Sequence, residues 1–246
     1  MLRNEISKLR RTQIWVVIVV IPALSVLLGA FNYSQNVEVL THGWGSYWSQ
    51  LVLFYGLLLM SLGVAVLASS VWRAEHRNHG WNQLLTSQRR PGRVLLAKIA
   101  VLGLLAAAMQ VVLVCLGLLV GGLLRVPGSP PVVMLVATAL SVVPALAVAA
   151  WQSLLSMLVR NFAAPIGVAL LGGVVSFGLV ASQSPLAYLF PPALVSMTQS
   201  LGSTATAVAG SLTFATVAPL LLASALLTGL GWAAGVWWLS RADSRC

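Results

Sequence analysis

Acidic residues are almost absent from this chain of 246 residues. Carriers that are coupled to protons or sodium ions commonly use intramembrane acids as relays or as ion ligands. Because no acid lies deep within an apolar run, the sequence argues against a secondary transporter. The only carboxylates are Glu5, Glu38, Glu75 and Asp243.

The sequence also lacks the motifs of several enzyme classes. Neither G-x-S-x-G nor H-E-x-x-H occurs, which argues against a hydrolase or an intramembrane protease. The only two lysines are Lys8 and Lys98, and neither follows the glycine that a phosphate-binding loop requires. We therefore expect a chain without catalytic residues or cofactors of its own, so that any ATP and Mg²⁺ would be bound by another polypeptide.

Potential metal ligands are equally few. Cys115 lies inside an apolar run and Cys246 is the last residue, so the sequence predicts no disulfide bond. Glu75, His76 and His79 are close in sequence, but a metal site needs three or four convergent ligands with supporting contacts. A polar helix at the membrane surface is the expected interpretation of these three residues, and no metal site is predicted.

Apolar residues make up 59% of the chain and charged residues only 7%, whereas soluble domains have about 25% charged residues. This composition predicts a membrane protein with several spans. The net charge of +10 is then a topology signal and a contact for anionic membrane lipids, and it does not predict binding to nucleic acid.

Six apolar runs are long enough to cross a bilayer, and helix is the economical spanning form because its backbone groups bond to one another. We predict an all-α protein with one transmembrane domain over 1–246. With both termini inside, every lysine and arginine except Arg125 lies on the inner side, as the positive-inside rule requires. The predicted spans are 14–30, 51–71, 99–124, 132–159, 162–181 and 214–239.

The residues before the first span allow two interpretations. The run 14–30 could be a signal peptide, but it ends without an A-x-A cleavage pattern, which favours a retained span. In the segment 1–13, Leu2, Ile6 and Leu9 recur at helical spacing among basic residues. This pattern favours an amphipathic helix in the inner headgroup layer, with a basic tail without fixed structure as the alternative.

The outer segments and the polar residues within spans give weaker signals. Aromatic residues in 31–50 are typical of an interfacial belt, although contact with a substrate is also possible. Prolines in 182–211 argue against a continuous span there, and a short helix over 193–201 is expected at the outer surface. Gln110 and Gln152 either line a path or form interhelical hydrogen bonds.

The loop 73–98 contains much of the basic charge, and we expect it on the cytoplasmic side. Trp81, Leu84 and Leu85 follow one another at helical spacing and form an apolar ridge, while Gly80 permits close approach of another backbone. Such a ridge either docks in a groove on a partner protein or rests on the bilayer interface. The pattern alone does not decide between these two.

The order Glu75-His-Arg-Asn-His-Gly-Trp-x-x-Leu-Leu resembles the first cytoplasmic loop of type-2 ABC exporter permeases. The resemblance is closest to permeases of the lantibiotic-immunity and bacitracin-resistance type, which have E-x-K-N-x-x-W-x-x-L-L between the second and third of six spans. The motif lies within 73–98, and the remaining chain agrees only in layout. Arg77 stands where the family often has lysine, and Gly80 stands where a small polar residue is common. These departures do not change the assignment to the family, but the substrate class stays open.

The resemblance implies a permease subunit of an ATP-driven exporter in a bacterial plasma membrane. Its partners would be an ATP-binding subunit and a second permease chain, identical or homologous. It also implies that the substrate is an amphipathic antimicrobial peptide or a lipid, removed from the membrane for resistance or immunity. The alternative is a membrane scaffold or sensor subunit that works with an ATPase without substrate passage. The residues implied to form the coupling helix that contacts the ATPase are Glu75, Gly80, Trp81, Leu84 and Leu85.

Overall fold

A computed structural model describes residues 14–76, 91–204 and 211–243 of the chain. The interfacial helix predicted for 1–13 lies outside the described residues, as do Gly80, Trp81, Leu84 and Leu85 of the predicted coupling helix.

The described residues form helices joined by short connections, with no strand among them. Six stretches are long and apolar enough to cross a membrane, so the predicted all-α class and the number of spans are confirmed. The second span combines α2, a π-helical turn and α3, and the fourth combines α5 and α6. The elements are α1 (Ile14–Gln35), α2 (Trp44–Phe54), the π-turn (Tyr55–Leu59), α3 (Met60–His76), α4 (Pro91–Leu123), α5 (Val132–Leu140), α6 (Val142–Leu158), α7 (Ala163–Ala181), a 3₁₀ turn (Pro185–Leu189), α8 (Pro191–Gln199) and α9 (Phe214–Asp243).

Several helices are longer than the apolar runs that predicted them. The second span begins at Trp44, well before the run 51–71. The third begins at Pro91, well before the run 99–124, so Arg93 lies in its first turn. Proline suits this position because its fixed φ matches a helix and its missing N–H needs no partner there. Hydropathy marks the hydrocarbon-facing part of a helix, and polar residues extend the helix beyond it.

Two spans are irregular near their middle. The π-turn interrupts the second span, and Ser196 Oγ donates a hydrogen bond to the carbonyl of Gly56 within it, at 2.6 Å. The fourth span breaks at Ser141, whose hydroxyl donates to the carbonyl of Thr138 at 2.6 Å. A hydroxyl group that bonds to a carbonyl of its own helix, as that of Ser141 does, competes with helical hydrogen bonds. Pro144 lies in the first turn of α6, where a missing N–H is tolerated.

The segment between α7 and α9 folds back into the bundle. α8 begins at Pro191, close to the expected short helix, and packs against α6, α7 and the π-turn. Ala193, Leu194 and Val195 are fully buried, so α8 is part of the core and does not lie on the surface. Its burial supplies apolar partners for the π-turn, which also packs against α1 and α7.

Burial differs strongly between the spans. In the second span 67% of the most apolar window is buried, against 22% in α7 and 17% in α9. The largest side chains of the core come from the second span and include Tyr47, Trp48, Tyr55 and Trp72. This span is therefore the centre of the bundle, while α7 and α9 present apolar side chains outward.

Candidate functional site

The described residues on both sides of the segment 77–90 meet in a buried ion pair. Lys98 Nζ lies 3.0 Å from Glu75 Oε1, and the side chains are 0% and 6% exposed, respectively. Glu75 stands in the last turn of α3, and Lys98 stands near the start of α4. The pair therefore joins the two helices from which the segment leaves and to which it returns.

An aromatic side chain extends the pair towards a third helix. Lys98 Nζ lies 4.8 Å from the ring centre of Trp72, which is close enough for a cation–π interaction. The indole Nε1–H of Trp72 donates to Ser153 Oγ on α6 at 2.6 Å. A buried charge pair is tolerated only when its groups gain such additional polar contacts, because both ions have lost their hydration.

Two more contacts fix α3 to α6 beside the pair. His76 donates a hydrogen bond from Nε2 to the carbonyl of Ser156 at 2.8 Å, and the hydroxyls of Ser69 and Ser156 share one at 3.3 Å. The α3 residues fall on one helix face because Trp72, Glu75 and His76 lie three, six and seven residues after Ser69. We refer to this group as the stem cluster; it consists of Ser69, Trp72, Glu75, His76, Lys98, Ser153 and Ser156.

The structure places one of the predicted coupling residues, Glu75, and gives it a partner within the chain. Its predicted contact with an ATPase stays a prediction. Lys98 was recognised from the sequence only as a basic residue of the loop. The sequence does contain a signal for the ion pair: Lys98 is a single lysine beside one apolar run, and Glu75 is a single glutamate just after the preceding run. Ions at the ends of neighbouring spans avoid an isolated buried charge only by pairing.

A cavity of about 250 Å³ lies at the other end of the bundle, between α2, the π-turn, α7 and α8. Its walls are mostly apolar, and its polar groups come from the end of α7 and from α8 and the residues after it. Phe177 on α7 is half exposed, so the edge of the cavity reaches the outward face of that helix. The apolar walls are Val52, Leu53, Gly56, Leu57, Phe177, Val180 and Ala181, and the polar lining is Gln183, Ser196, Ser200 and Ser203.

Buried amides lie beside this cavity. Gln110 and Gln199 each donate from Nε2 to Ser141 Oγ, at 2.6 and 3.1 Å, so the hypothesis of an interhelical hydrogen bond holds for Gln110. Their side-chain oxygens, like the Tyr55 hydroxyl and the Gln152 side-chain oxygen, have no hydrogen-bond partner within the described part of the chain. The α5–α6 break, α4 and α8 therefore meet in a polar group whose acceptors are only partly satisfied.

Metal ligation has no candidate in the described ranges, where no group of three or more His, Cys, Asp or Glu residues could hold an ion.

Comparison with known proteins gives one match. A family model described as ABC-2 family transporter protein matches residues 1–176, which include the stem cluster and the first four spans. No curated protein matches the chain, and no solved structure does so.

Proposed function

The chain belongs to the ABC-2 transporter family, and on this basis we propose that it is the permease subunit of an exporter for an amphipathic peptide or lipid. Membership confirms the resemblance to ABC-2 permeases and identifies a multi-pass membrane transport subunit. The narrower likeness to lantibiotic-immunity and bacitracin-resistance permeases, and a bacterial plasma membrane as location, belong to the proposal.

The outer cavity is the observation that carries the proposed substrate class. A hydrophilic ion or sugar would need polar groups along the walls to replace its hydration, because transfer of unpaired polar groups is costly. The walls are mostly apolar with a few polar side chains among them, Gln183, Ser196, Ser200 and Ser203, which suits a molecule with an apolar body and a polar head. Ligand pockets usually have volumes of about 300–1,000 Å³. The cavity, at about 250 Å³, is slightly smaller, so it fits one apolar segment of a peptide or lipid and not the whole molecule.

The orientation of the chain supports export towards the cavity side. Trp232 Nε1–H donates to the carbonyl of Gly92 at 3.0 Å, so the C-terminal half of α9 lies beside the start of α4. Arg73, Arg93 and Arg241 thus belong to the same end of the bundle as the stem cluster. We assign this end to the cytoplasm by the positive-inside rule, and the cavity to the outer half of the membrane.

Coupling to ATP hydrolysis is assigned to the segment 77–90 and to the two helix ends that flank it, the end of α3 and the start of α4. Trp81, Leu84 and Leu85, with Gly80, would seat on an ATP-binding subunit in the cytoplasm, and a second permease chain would complete the transporter. The burial of Glu75 supports a positioning role through Lys98. A movement of the docked segment would reach α4 and α6 through the stem cluster and turn the helices as a rigid body.

The test compares the whole transporter with a variant whose cavity is filled. Ala181 lines the cavity and is exposed, so Ala181→Trp should fill the cavity at little cost to folding. Val174 lies on the same helix, is exposed and does not line the cavity, so Val174→Trp is the matched control. Inhibitory concentrations of a panel of peptide antibiotics are measured in cells that carry the permease with its ATPase, and with a hydrolysis-deficient ATPase.

We expect Ala181→Trp to lower resistance several-fold while the ATP-binding subunit still co-purifies, and Val174→Trp to behave as the unchanged chain. Equal sensitivity of cells with and without the transporter across the whole panel would contradict the peptide substrate. Failure of inverted vesicles to accumulate a labelled substrate, with an active ATPase present, would favour the scaffold or sensor alternative.

A further inference from the structure

A basic groove lies next to the stem cluster on the surface of the bundle. It runs between the end of α3, the end of α6 and the start of α7. Arg73, His76 and Arg160 line it, and no carboxylate lines it among the described residues. Glu75 is close in sequence, but it is buried and paired with Lys98. The groove therefore brings together the positive charges of Arg73 and Arg160, and no acid among the described residues of its lining neutralises them.

Contacts hold two of the side chains that line the groove. The guanidinium carbon of Arg73 lies 5.2 Å from the ring centre of Phe162, just before the start of α7. His76 is held by its hydrogen bond to the Ser156 carbonyl. Arg160 lies just after the end of α6 and is exposed. Arg73 and Arg160 both line the groove, and guanidinium groups offer several N–H donors that suit phosphate oxygens.

A helix with an apolar outward face begins next to the groove. α7 starts at the groove, and its exposed side chains include Val168, Leu171, Val174 and Val175. An anion bound between the arginines would thus lie at the head of an apolar helix surface. Inorganic phosphate has no apolar part that could contact such a surface, whereas the acyl chains of a phospholipid would cover it.

We propose that this groove binds the phosphate of an anionic phospholipid headgroup in the cytoplasmic leaflet, with the acyl chains along α7. Basic pockets between transmembrane helices on the cytoplasmic side are suited to such headgroups. The backbone at the start of α7 contributes little to this site. The N–H of Ala163 is taken by Asn161 Oδ1 at 2.9 Å, and Pro165 has no N–H. The side chains of Arg73 and Arg160 carry the recognition.

The experiment measures lipid binding to the purified full-length chain. Delipidated protein in neutral detergent is titrated with phosphatidylglycerol or with phosphatidylcholine, and bound lipid is counted by native mass spectrometry. We expect phosphatidylglycerol to bind more tightly than phosphatidylcholine. The double variant Arg73→Gln/Arg160→Gln should lower the affinity for phosphatidylglycerol by at least about tenfold, since one interfacial guanidinium contributes about fivefold.

Arg93→Gln/Arg241→Gln is the matched control, because it removes the same charge from exposed positions at the same end, outside the groove. It should keep the affinity of the unchanged chain. Arg73→Lys/Arg160→Lys keeps the charge and should restore part of the binding, which separates a lost contact from a misfolded protein.

Three results would overturn the proposal. Equal losses in the two glutamine variants would mean diffuse attraction without a site. Full competition by millimolar inorganic phosphate would identify a small-anion site without a lipid. Normal lipid binding by Arg73→Gln/Arg160→Gln together with lost binding of the ATP-binding subunit would assign the groove to that subunit.

Discussion

At the end of the bundle that we assign to the cytoplasm, two buried charges are paired and held by an indole ring. In the half that we assign to the outer side, the buried side-chain oxygens of Gln110 and Gln199 have no partner within the described residues. The outer half also holds the cavity and lies beside both helix irregularities, the π-turn and the break at Ser141.

This difference indicates that the two ends of the bundle have different mechanical roles. A satisfied buried ion pair resists separation, because removing one partner leaves an uncompensated charge. Amides with spare acceptors can exchange hydrogen-bond partners at low cost, and π-helical turns are frequent at functional sites. We infer that the cytoplasmic end transmits movement as a rigid unit and that the outer half rearranges. Gln152 is an exception, since its side-chain oxygen is unpartnered among the described residues although it neighbours Ser153 of the stem cluster.

The largest effect should follow from breaking the ion pair. Lys98→Met leaves Glu75 buried without its cation, and we expect a loss of about 3–5 kcal/mol in the free energy of unfolding. The measurement is thermal unfolding of the purified chain in detergent. Glu75→Gln/Lys98→Met removes both charges and should be clearly more stable than Lys98→Met.

Arg93→Met is the control for this prediction, because Arg93 is exposed near the start of the same helix. A Lys98→Met protein as stable as the Arg93→Met protein would show that the ion pair does not stabilise the cytoplasmic end, and the contrast between the two halves would lose its basis.

A smaller effect is expected at the docking segment. Trp81→Ala should weaken binding of the ATP-binding subunit by about 2 kcal/mol, since a buried aromatic anchor commonly contributes that much to an interface. Co-purification at graded detergent or subunit concentrations measures it. Trp237→Ala removes an exposed tryptophan from α9 and serves as the control. If both variants bind alike, Trp81 rests on the bilayer and the cytoplasmic end transmits nothing through it.

The smallest effect on stability should come from the outer amides. Gln199→Met keeps most of the side-chain volume and removes an unpartnered oxygen together with one hydrogen bond to Ser141. These two changes oppose each other, so we expect less than about 1 kcal/mol change in unfolding. Transport should change more than stability does. A loss as large as that of Lys98→Met would mean that the outer half is as rigid as the stem cluster.

The sequence predicted the six spans because each is a long apolar run, and hydropathy is a local property. It did not predict the partner of Glu75 or the buried position of α8, because both depend on which helices become neighbours. The π-turn was also missed: Tyr55–Leu59 is as apolar as its surroundings, and nothing in its composition distinguishes a wider turn from an α-helical one. The coupling segment stays a prediction from resemblance, since Trp81 lies outside the described residues.

The π-turn has a consequence for how this chain tolerates insertions and deletions. Each residue of an α-helix advances the side chains by about 100° around the axis. A π-turn accommodates one extra residue within a helix, so the residues after it keep the faces that they would have in a regular helix one residue shorter. Deleting one residue from Tyr55–Leu59 would therefore allow a regular helix and leave Glu75 facing Lys98. Deleting one residue from the regular helix between the π-turn and Glu75 would instead turn Glu75 by about 100° away from Lys98.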